Sequence, residues 1–474
     1  MLRAAAIATL LGLLSLGTFA ATPKKSPAKK PAVKKTSAKK TTAKKSSTKR
    51  RPVRRTVRRV PRPPVVSQKV KLSSQQFVAG SLDAVSAAAI ENSAALIPFF
   101  EQLHQMESTD GGPQTIRVLQ YGDSHTASDD WANQIRSLFQ SRFGNAGPGY
   151  VFAGTPFRGY RRRDAKSGQS KQWSTEGLLT RGTDGLYGLG GAALTTELPG
   201  QEIFLEAEGD RAELHFLRQP GGGSLRVTID GEEATQIDTD GELSPGVWHS
   251  STLLSSAPHR FVVETLSDRP VKLFGWVTEK NRGLTWETLG INGAQANISL
   301  RWEEAQLGAF LSQRDPSLLV LAYGTNDARS KEWTPESYAA MFRQVVERFR
   351  RLAPTASILI VGPPDNALRT RRTWAPVPKL DMIADVQRSV AQELGCAFWD
   401  LRQRMGGDGA IKRWVYAGYA QGDFVHLNEA GYRLVGETLY KDLIAHYEEF
   451  RRIRNKVFQD VNFEGTHEPA RPNP

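Results

Sequence analysis

Four short, largely apolar runs recur along this chain with helical segments between them, and this alternation limits the fold more than any other feature. The runs are Ile116–Tyr121, Leu318–Tyr323, Ser357–Val361 and Cys396–Asp400. Apolar residues three and four apart predict helices over Asp130–Phe143, Ile298–Gln313, Pro335–Leu352 and Pro378–Leu394, and a terminal one from Asn428 to about Val457. Strands apolar on both faces that alternate with helices call for a parallel sheet covered on both sides. In such a sheet the chemistry sits at the carboxyl ends of the strands.

The alternation is interrupted. Between about Tyr160 and Arg282 the texture becomes short alternating runs bounded by Gly, Asp and Pro turns, such as Glu202–Ala207, Ala212–Leu217, Ser224–Ile229, His259–Thr265 and Val271–Val277. That spacing predicts a β-sandwich set into the α/β domain. The expected organisation is therefore a signal peptide or membrane anchor over 1–21 and a disordered Lys/Arg-rich linker over 22–75. The α/β domain follows in two parts, 76–159 and 283–460, around an insert at 160–282, with a flexible tail over 461–474.

Charge separates the same parts. The 474 residues carry 63 Lys and Arg against 49 Asp and Glu, a formal +14. Eighteen of those cations, and no acid, lie between Thr22 and Arg62; subtracting them and Arg3 leaves −5 for residues 63–474. A mildly acidic body argues against a fold-wide nucleic-acid surface. The tail has little to bury against its self-repulsion, so disorder is expected. It is either a solvated spacer or a salt-sensitive tether to anionic envelope polymers, with nucleic acid the less favoured partner. Met1–Ala21 has Arg3, the apolar run Ala4–Leu16 and small residues at Thr18 and Ala20, the pattern of a secretory signal, although Lys24 and Lys25 oppose translocation. The single cysteine, Cys396, excludes an intramolecular disulfide framework and multi-cysteine metal sites.

Four polar blocks fall where the strands end or the last helix begins: Gly122-Asp123-Ser124-His125, Leu289-Gly290-Ile291-Asn292-Gly293-Ala294, Tyr323-Gly324-Thr325-Asn326-Asp327 and Asp423-Phe424-Val425-His426. Ester hydrolysis or transfer needs an activated hydroxyl, a base, a group that fixes the base, and donors for the oxyanion. The chain has one candidate for each role. Ser124 is the nucleophile, His426 the base and Asp423 its orienting carboxylate. The N–H groups of Ser124 and Gly293 and the Asn326 amide are the oxyanion donors.

Taken in order, Gly122-Asp123-Ser124, Gly293, Gly324-Thr325-Asn326-Asp327 and Asp423-x-x-His426 resemble the SGNH/GDSL hydrolases over about residues 115–450. The resemblance implies a three-layer α/β/α flavodoxin-like fold and an acyl-ester hydrolase or acyltransferase that uses neither a metal nor a cofactor. Many members have Leu after the nucleophile, where this chain has His125. The Gly-Asp-Ser-His form, the β insert and the Gly-Ile-Asn-Gly-Ala block resemble extracytoplasmic peptidoglycan O-acetylesterases. These act on the C6 O-acetyl of N-acetylmuramic acid and have an insert that resembles a carbohydrate-binding module. An O-acetyltransferase using the same triad, and a non-catalytic polyanion- or glycan-binding protein dominated by its tail, are the alternatives.

Each block also has a bland reading. Ser124 suits a helix N-cap, Asp123 a turn, and Asp423 the cap of the last helix. Asn326 suits a turn, and Gly290 competes with Gly293 for the oxyanion position. His125 is open between pocket lining and structure. Gly188-Leu189-Gly190-Gly191 does not stand in a strand–turn–helix unit and reads as a turn of the insert. Cys396 and any one tryptophan, Trp173 and Trp248 included, read as core.

Overall fold

The long central strand Thr115–Gly122 points Leu119 and Tyr121 to one side and Ile116 and Val118 to the other. Its neighbours repeat this: Leu319, Leu321, Ile358 and Ile360 join one apolar core, while Val320, Leu359 and Val361 join a second. A strand wet on neither face must be covered twice, and it is. Helices Glu304–Arg314, Pro335–Leu352 and Leu380–Glu393 pack in the first core. Ile97–Glu107, Asp130–Phe143 and the long terminal helix Glu429–Glu464 pack in the second.

This computed structural model describes residues 60–83, 89–108, 115–370 apart from 252 and 256, and 373–464, with side chains to 457. The chain divides into Met1–Arg58 and Arg59–Pro474, and every described residue belongs to the second unit. Met1–Ala21 and the linker as far as residue 59 lie outside the described residues, among which no helix is long and apolar enough to cross a membrane.

The central sheet runs Ile90–Glu91, Ala397–Trp399, Ser357–Val361, Leu318–Ala322, Thr115–Gly122, Gly283–Gly290. All its pairings are parallel except the first, a short antiparallel edge. In chain order the parallel strands lie 2-1-3-4-5, the flavodoxin-like order, so the three-layer α/β/α expectation holds. The switch point of that order lies at the end of Thr115–Gly122, immediately before Ser124.

The insert comprises two antiparallel sheets. One runs Glu232–Asp238, Ser224–Ile229, Pro258–Thr265, Glu202–Glu208, Lys166–Gln169. The other runs Ser244–His249, Arg211–Arg218, Val271–Glu279, Ala192–Thr196, Ser174–Gly177. Leu205, Val227, Phe261 and Val263 of the first share one core with Leu214, Phe216, Leu273 and Trp276 of the second, the arrangement of a sandwich. Trp173 and Trp248 pack against this core, and Cys396 is buried.

Several expected boundaries shift. A helix at Gln68–Asp83, with Ser74, Val78 and Leu82 buried, stands where residues up to 75 were expected to be disordered. Strand Gly149–Phe152 pairs with Val271–Glu279, so the insert's sheet begins before residue 160. The terminal helix extends to Glu464, past its expected end near Val457 and past the expected domain boundary at 460, and the rest of the 461–474 tail lies outside the described residues.

Strand Gly283–Gly290 was not foreseen: it is interrupted by the polar residues Thr285, Glu287 and Thr288, all of which are buried. Burial is possible because Arg314 neutralises Glu287 from the next helix and also meets Glu279, the last residue of the insert's longest strand. Arg117 and Arg211 complete the cluster on Glu279, each at 3.0 Å. Burial opposes ionisation of Glu279, but these guanidiniums outweigh it and hold its carboxyl well below the ordinary range. Removing one partner of such a network strands a buried charge. Arg314→Met is therefore expected to lower unfolding stability by ~3–5 kcal/mol, read as a fall in the urea midpoint. A midpoint near wild type would contradict this account of how insert and sheet are joined.

Candidate active site

The Ser124 turn is built by close packing. A Cβ on Gly122 would lie 2.7 Å from the Ala322 carbonyl oxygen, so only glycine lets the first and third blocks approach this closely. Asp123 then caps the short helix Ser124–Ala127, its Oδ1 accepting from the His125 N–H at 2.9 Å. Ser124 is the first helical residue, not the cap, and its hydroxyl is free to point away from the sheet.

The fourth block folds back to meet it. Ser124 Oγ lies 2.9 Å from His426 Nε2, and His426 Nδ1 lies 2.8 Å from Asp423 Oδ2. Asp423 Oδ1 accepts from the N–H groups of Val425 and His426 at 3.0 and 3.1 Å. Burial raises the carboxyl's pKa, but the His426 contact and these two donors prevail, leaving it below the ordinary value. Phe424 sits between them at φ +57, a conformation costly for a bulky side chain. It is stabilised by stacking on Trp374, centroids 4.3 Å apart, and by donation from the Ala367 N–H to its carbonyl at 2.9 Å. The capping alternative for Asp423 is answered by Asn428, whose Oδ1 takes the Gly431 N–H at 3.0 Å.

The second and third blocks are laced to the first. Ile291 N–H donates to Gly122 O at 2.9 Å, Asn326 Nδ2 to Ala294 O at 2.9 Å, and Ala296 N–H to Asp327 Oδ1 at 3.0 Å. Gly293 stands exposed in this turn at φ +83 with nothing within 4 Å of a would-be Cβ. At Gly290 a Cβ would lie 2.8 Å from the Asp123 carbonyl oxygen, so that glycine serves packing and Gly293 faces open space. Asn326 has committed one N–H to Ala294; its nearest other acceptor, Asp123 Oδ2, is 3.5 Å away, too far for a good bond. The second N–H is thus available to a ligand. Asn326→Ala is expected to cost ~10²–10³ in turnover, the usual effect of losing one oxyanion donor, with some loosening of the Gly293 turn. Steady-state kinetics on an aryl acetate read this, and a loss under threefold would remove Asn326 from the site.

Asp123 is buried, and desolvation pushes its carboxyl up to about 6 against the opposing His125 N–H and the His426 charge. A carboxyl whose folded pKa exceeds its unfolded value costs stability as pH rises from about 4 to about 6, and the loss persists above that. Asp123→Asn should remove this loss, so its unfolding free energy from urea titration gains on wild type by roughly 2–3 kcal/mol between pH 4 and pH 7. An offset equal at both pH values would contradict the assignment.

Sequence reasoning left His125 undecided. It is buried, its Nδ1 is 2.8 Å from the Tyr432 hydroxyl, and its ring centroid is 5.2 Å from that of His426. Burial first, then the neighbouring His426 charge, pushes its pKa down to about 3, so it packs as a neutral ring behind His426. Wholly missed was the buried pair Asp129 and Arg136, 2.6 Å apart, with Asp129 at φ +59 just after the Ser124 helix. Asp129 also accepts from Thr288 Oγ1 and Arg136 donates to Trp286 O, which ties the Ser124 turn to the unforeseen strand. An Asp and an Arg seven apart across a helix start carry no signal in sequence, since most such pairs are solvated.

On the insert side of Gly293, a cleft of about 150 Å3 is lined by Phe157, Arg158, Leu178, Ile291 and Asn292. Its walls come from both the insert, through Leu178, and the Gly293 turn, through Ile291 and Asn292.

The GDSL-like lipase/acylhydrolase family matches residues 255–434, a segment that holds Gly293, Asn326, Asp423 and His426 and stops short of Ser124. Among solved structures, the chain is similar to a peptidoglycan O-acetylesterase at 25% identity and TM-score 0.64, over 74% of this chain and 96% of that one. An active-site mutant of a family two carbohydrate esterase from Clostridium thermocellum matches at 12% identity and TM-score 0.25, covering 62% and 98%. An acetyl xylan esterase matches at 16% and 0.25, covering 33% and 80%. No curated protein matches the chain in sequence.

Proposed function

We propose that this chain, a carboxylic ester hydrolase of the SGNH/GDSL type, is a serine esterase of the cell envelope that removes O-acetyl groups from a glycan. Its foremost substrate is peptidoglycan acetylated on the C6 hydroxyl of N-acetylmuramic acid. The observation that carries the reading is the unbroken hydrogen-bonded chain Ser124 Oγ, His426, Asp423 at the switch point of the sheet. The similarity to a peptidoglycan O-acetylesterase over nearly all of that protein supports the substrate.

Each step has a residue. Ser124 Oγ attacks the acetyl carbonyl carbon as His426 Nε2 takes its proton, and Asp423 stabilises the imidazolium. The N–H groups of Ser124 and Gly293 with the uncommitted Asn326 N–H receive the oxyanion. His426 returns the proton to the sugar oxygen as the C–O bond breaks, leaving acetyl-Ser124, and a water activated by His426 then releases acetate. The cleft toward the insert suits glycan contacts by that domain. Export by Met1–Ala21 to the periplasm or envelope, and tethering of the basic tail to anionic envelope polymers, complete the reading.

The test offers purified protein O-acetylated wall, with and without an acetyl donor. Release of free acetate, lost in Ser124→Ala, supports the esterase. Donor-dependent gain of wall acetyl assigns an O-acetyltransferase instead. Wall binding without turnover assigns a non-catalytic glycan-binding protein.

A further inference from the structure

His125 follows the nucleophile and takes no part in the proton transfers, yet it touches both halves of the site. It lies in the Ser124–Ala127 turn, whereas Tyr432, whose hydroxyl is 2.8 Å from His125 Nδ1, belongs to the terminal helix that begins at Glu429, close behind His426. This hydrogen bond therefore spans the two segments whose alignment sets the 2.9 Å between Ser124 Oγ and His426 Nε2. The same imidazole lies against His426, the ring planes 33° apart.

Counting hydrogens fixes its tautomer. Tyr432 is buried, and His125 Nδ1 is the side-chain partner its hydroxyl meets among the described residues. A phenol has one hydrogen to give, so Nδ1 receives it, and the neutral ring carries its own proton on Nε2. His125 Nε2 is buried without a partner among the described residues, and so is Trp131 Nε1, which can only donate. Both rings line one cavity of about 20 Å3, with Asp123, Thr325 and Tyr432 also in its wall. Two buried N–H donors left without acceptors are costly. A cavity of ~10–15 Å3 is the least that holds a water, so this one admits a single molecule. Asp123 and Thr325 supply oxygens to take that molecule's own hydrogens, an arrangement suited to a water and hostile to an anion.

We propose that His125 is a positioning residue that sets Ser124 against His426: Tyr432 holds its Nδ1 from the last helix, and a water shared with Trp131 holds its Nε2 from the cavity. The inference deepens the proposed function and rests on its assignment of Ser124 and His426 as nucleophile and base. A leucine at this position, as in many SGNH/GDSL hydrolases, could fill the space but would make neither bond.

Two measurements on the full chain test this. Nitrogen-15 spectra at about pH 7 should show His125 neutral with its proton on Nε2, and the Trp131 Nε1–H should give a cross-peak to a water held longer than bulk solvent. Kinetics on an aryl acetate should show His125→Leu lowering kcat by about 10–100-fold with KM within about twofold, because a slight misplacement of the reacting groups costs rate and not binding. His125→Gln should recover most of that loss, since its amide oxygen can take the Tyr432 hydrogen and its N–H can reach the water. The spectra are read on the unmutated chain and decide the case if the Leu variant does not fold. A His125 proton on Nδ1, no held water at Trp131, a kcat for His125→Leu within about threefold of wild type, or equal losses in the Leu and Gln variants overturns the proposal. Failure of the proposed function shows differently: the wild-type chain does not turn over acetate esters, or Ser124→Ala still does, while the tautomer and the water cross-peak persist.

Discussion

Ser124→Ala is expected to lower turnover of an aryl acetate by about 10⁴-fold or more, leaving the residual rate that oxyanion donors and binding supply. Its Oγ is the hydroxyl within hydrogen-bond reach of His426 Nε2 at the end of the central strand. His426→Ala should cost about as much, and the double variant little more, because nucleophile and base act in one step and their losses do not add. Kinetics with pre-steady-state acetyl-enzyme trapping check this, with circular dichroism confirming the fold. Retention of activity within tenfold of wild type in Ser124→Ala would remove the triad from the mechanism.

Asp423→Asn is expected to cost about 10³–10⁴ in kcat with the fold intact. Asn can still accept the Val425 and His426 N–H groups through its oxygen, so the loop keeps its shape. What changes is the atom facing Nδ1 at 2.8 Å: an amide N–H there favours the tautomer that places a proton on Nε2, where the base must be empty. Asp423→Ala should be worse in a separable way, since it orphans both N–H groups and releases the strained Phe424, lowering stability as well as rate. Because the Asp423 pKa is depressed, its stabilising contribution is present above about pH 4 and is lost as pH falls through the folded value. A kcat for Asp423→Asn within tenfold of wild type would leave Asp423 a loop residue only.

Much of the fold was legible because its signals are local. Strand Ser357–Val361 and helices Asp130–Phe143 and Pro335–Leu352 fall on their expected residues, since a doubly buried strand must be apolar throughout and a half-buried helix must repeat every third or fourth residue. Strand Gly283–Gly290 failed the same test because its buried polar residues are satisfied from elsewhere: Glu287 by Arg314 and Thr288 by Asp129. The helix Gln68–Asp83 was hidden by its neighbourhood, as it follows a polycationic stretch and buries only three side chains.

The four polar blocks were visible in sequence because a strand end with a nearby ligand demands particular residue types at short spacing: a glycine where backbones touch, a hydroxyl, an amide, and an acid three before an imidazole. Those demands are met within a few residues, so sequence alone determined which groups are available for the chemistry. It could not decide what joins them. Gly293 was separated from Gly290 only by what each would strike, Asn428 displaced Asp423 as a cap only once both were placed, and His125 became a buried ring against Tyr432 from more than three hundred residues away. The Asp129–Arg136 pair and the Arg314 cluster also unite residues distant in sequence or of unremarkable type. Their meaning comes from burial, which turns an ordinary surface charge or backbone carbonyl into a constraint, and burial is a property of the packed chain.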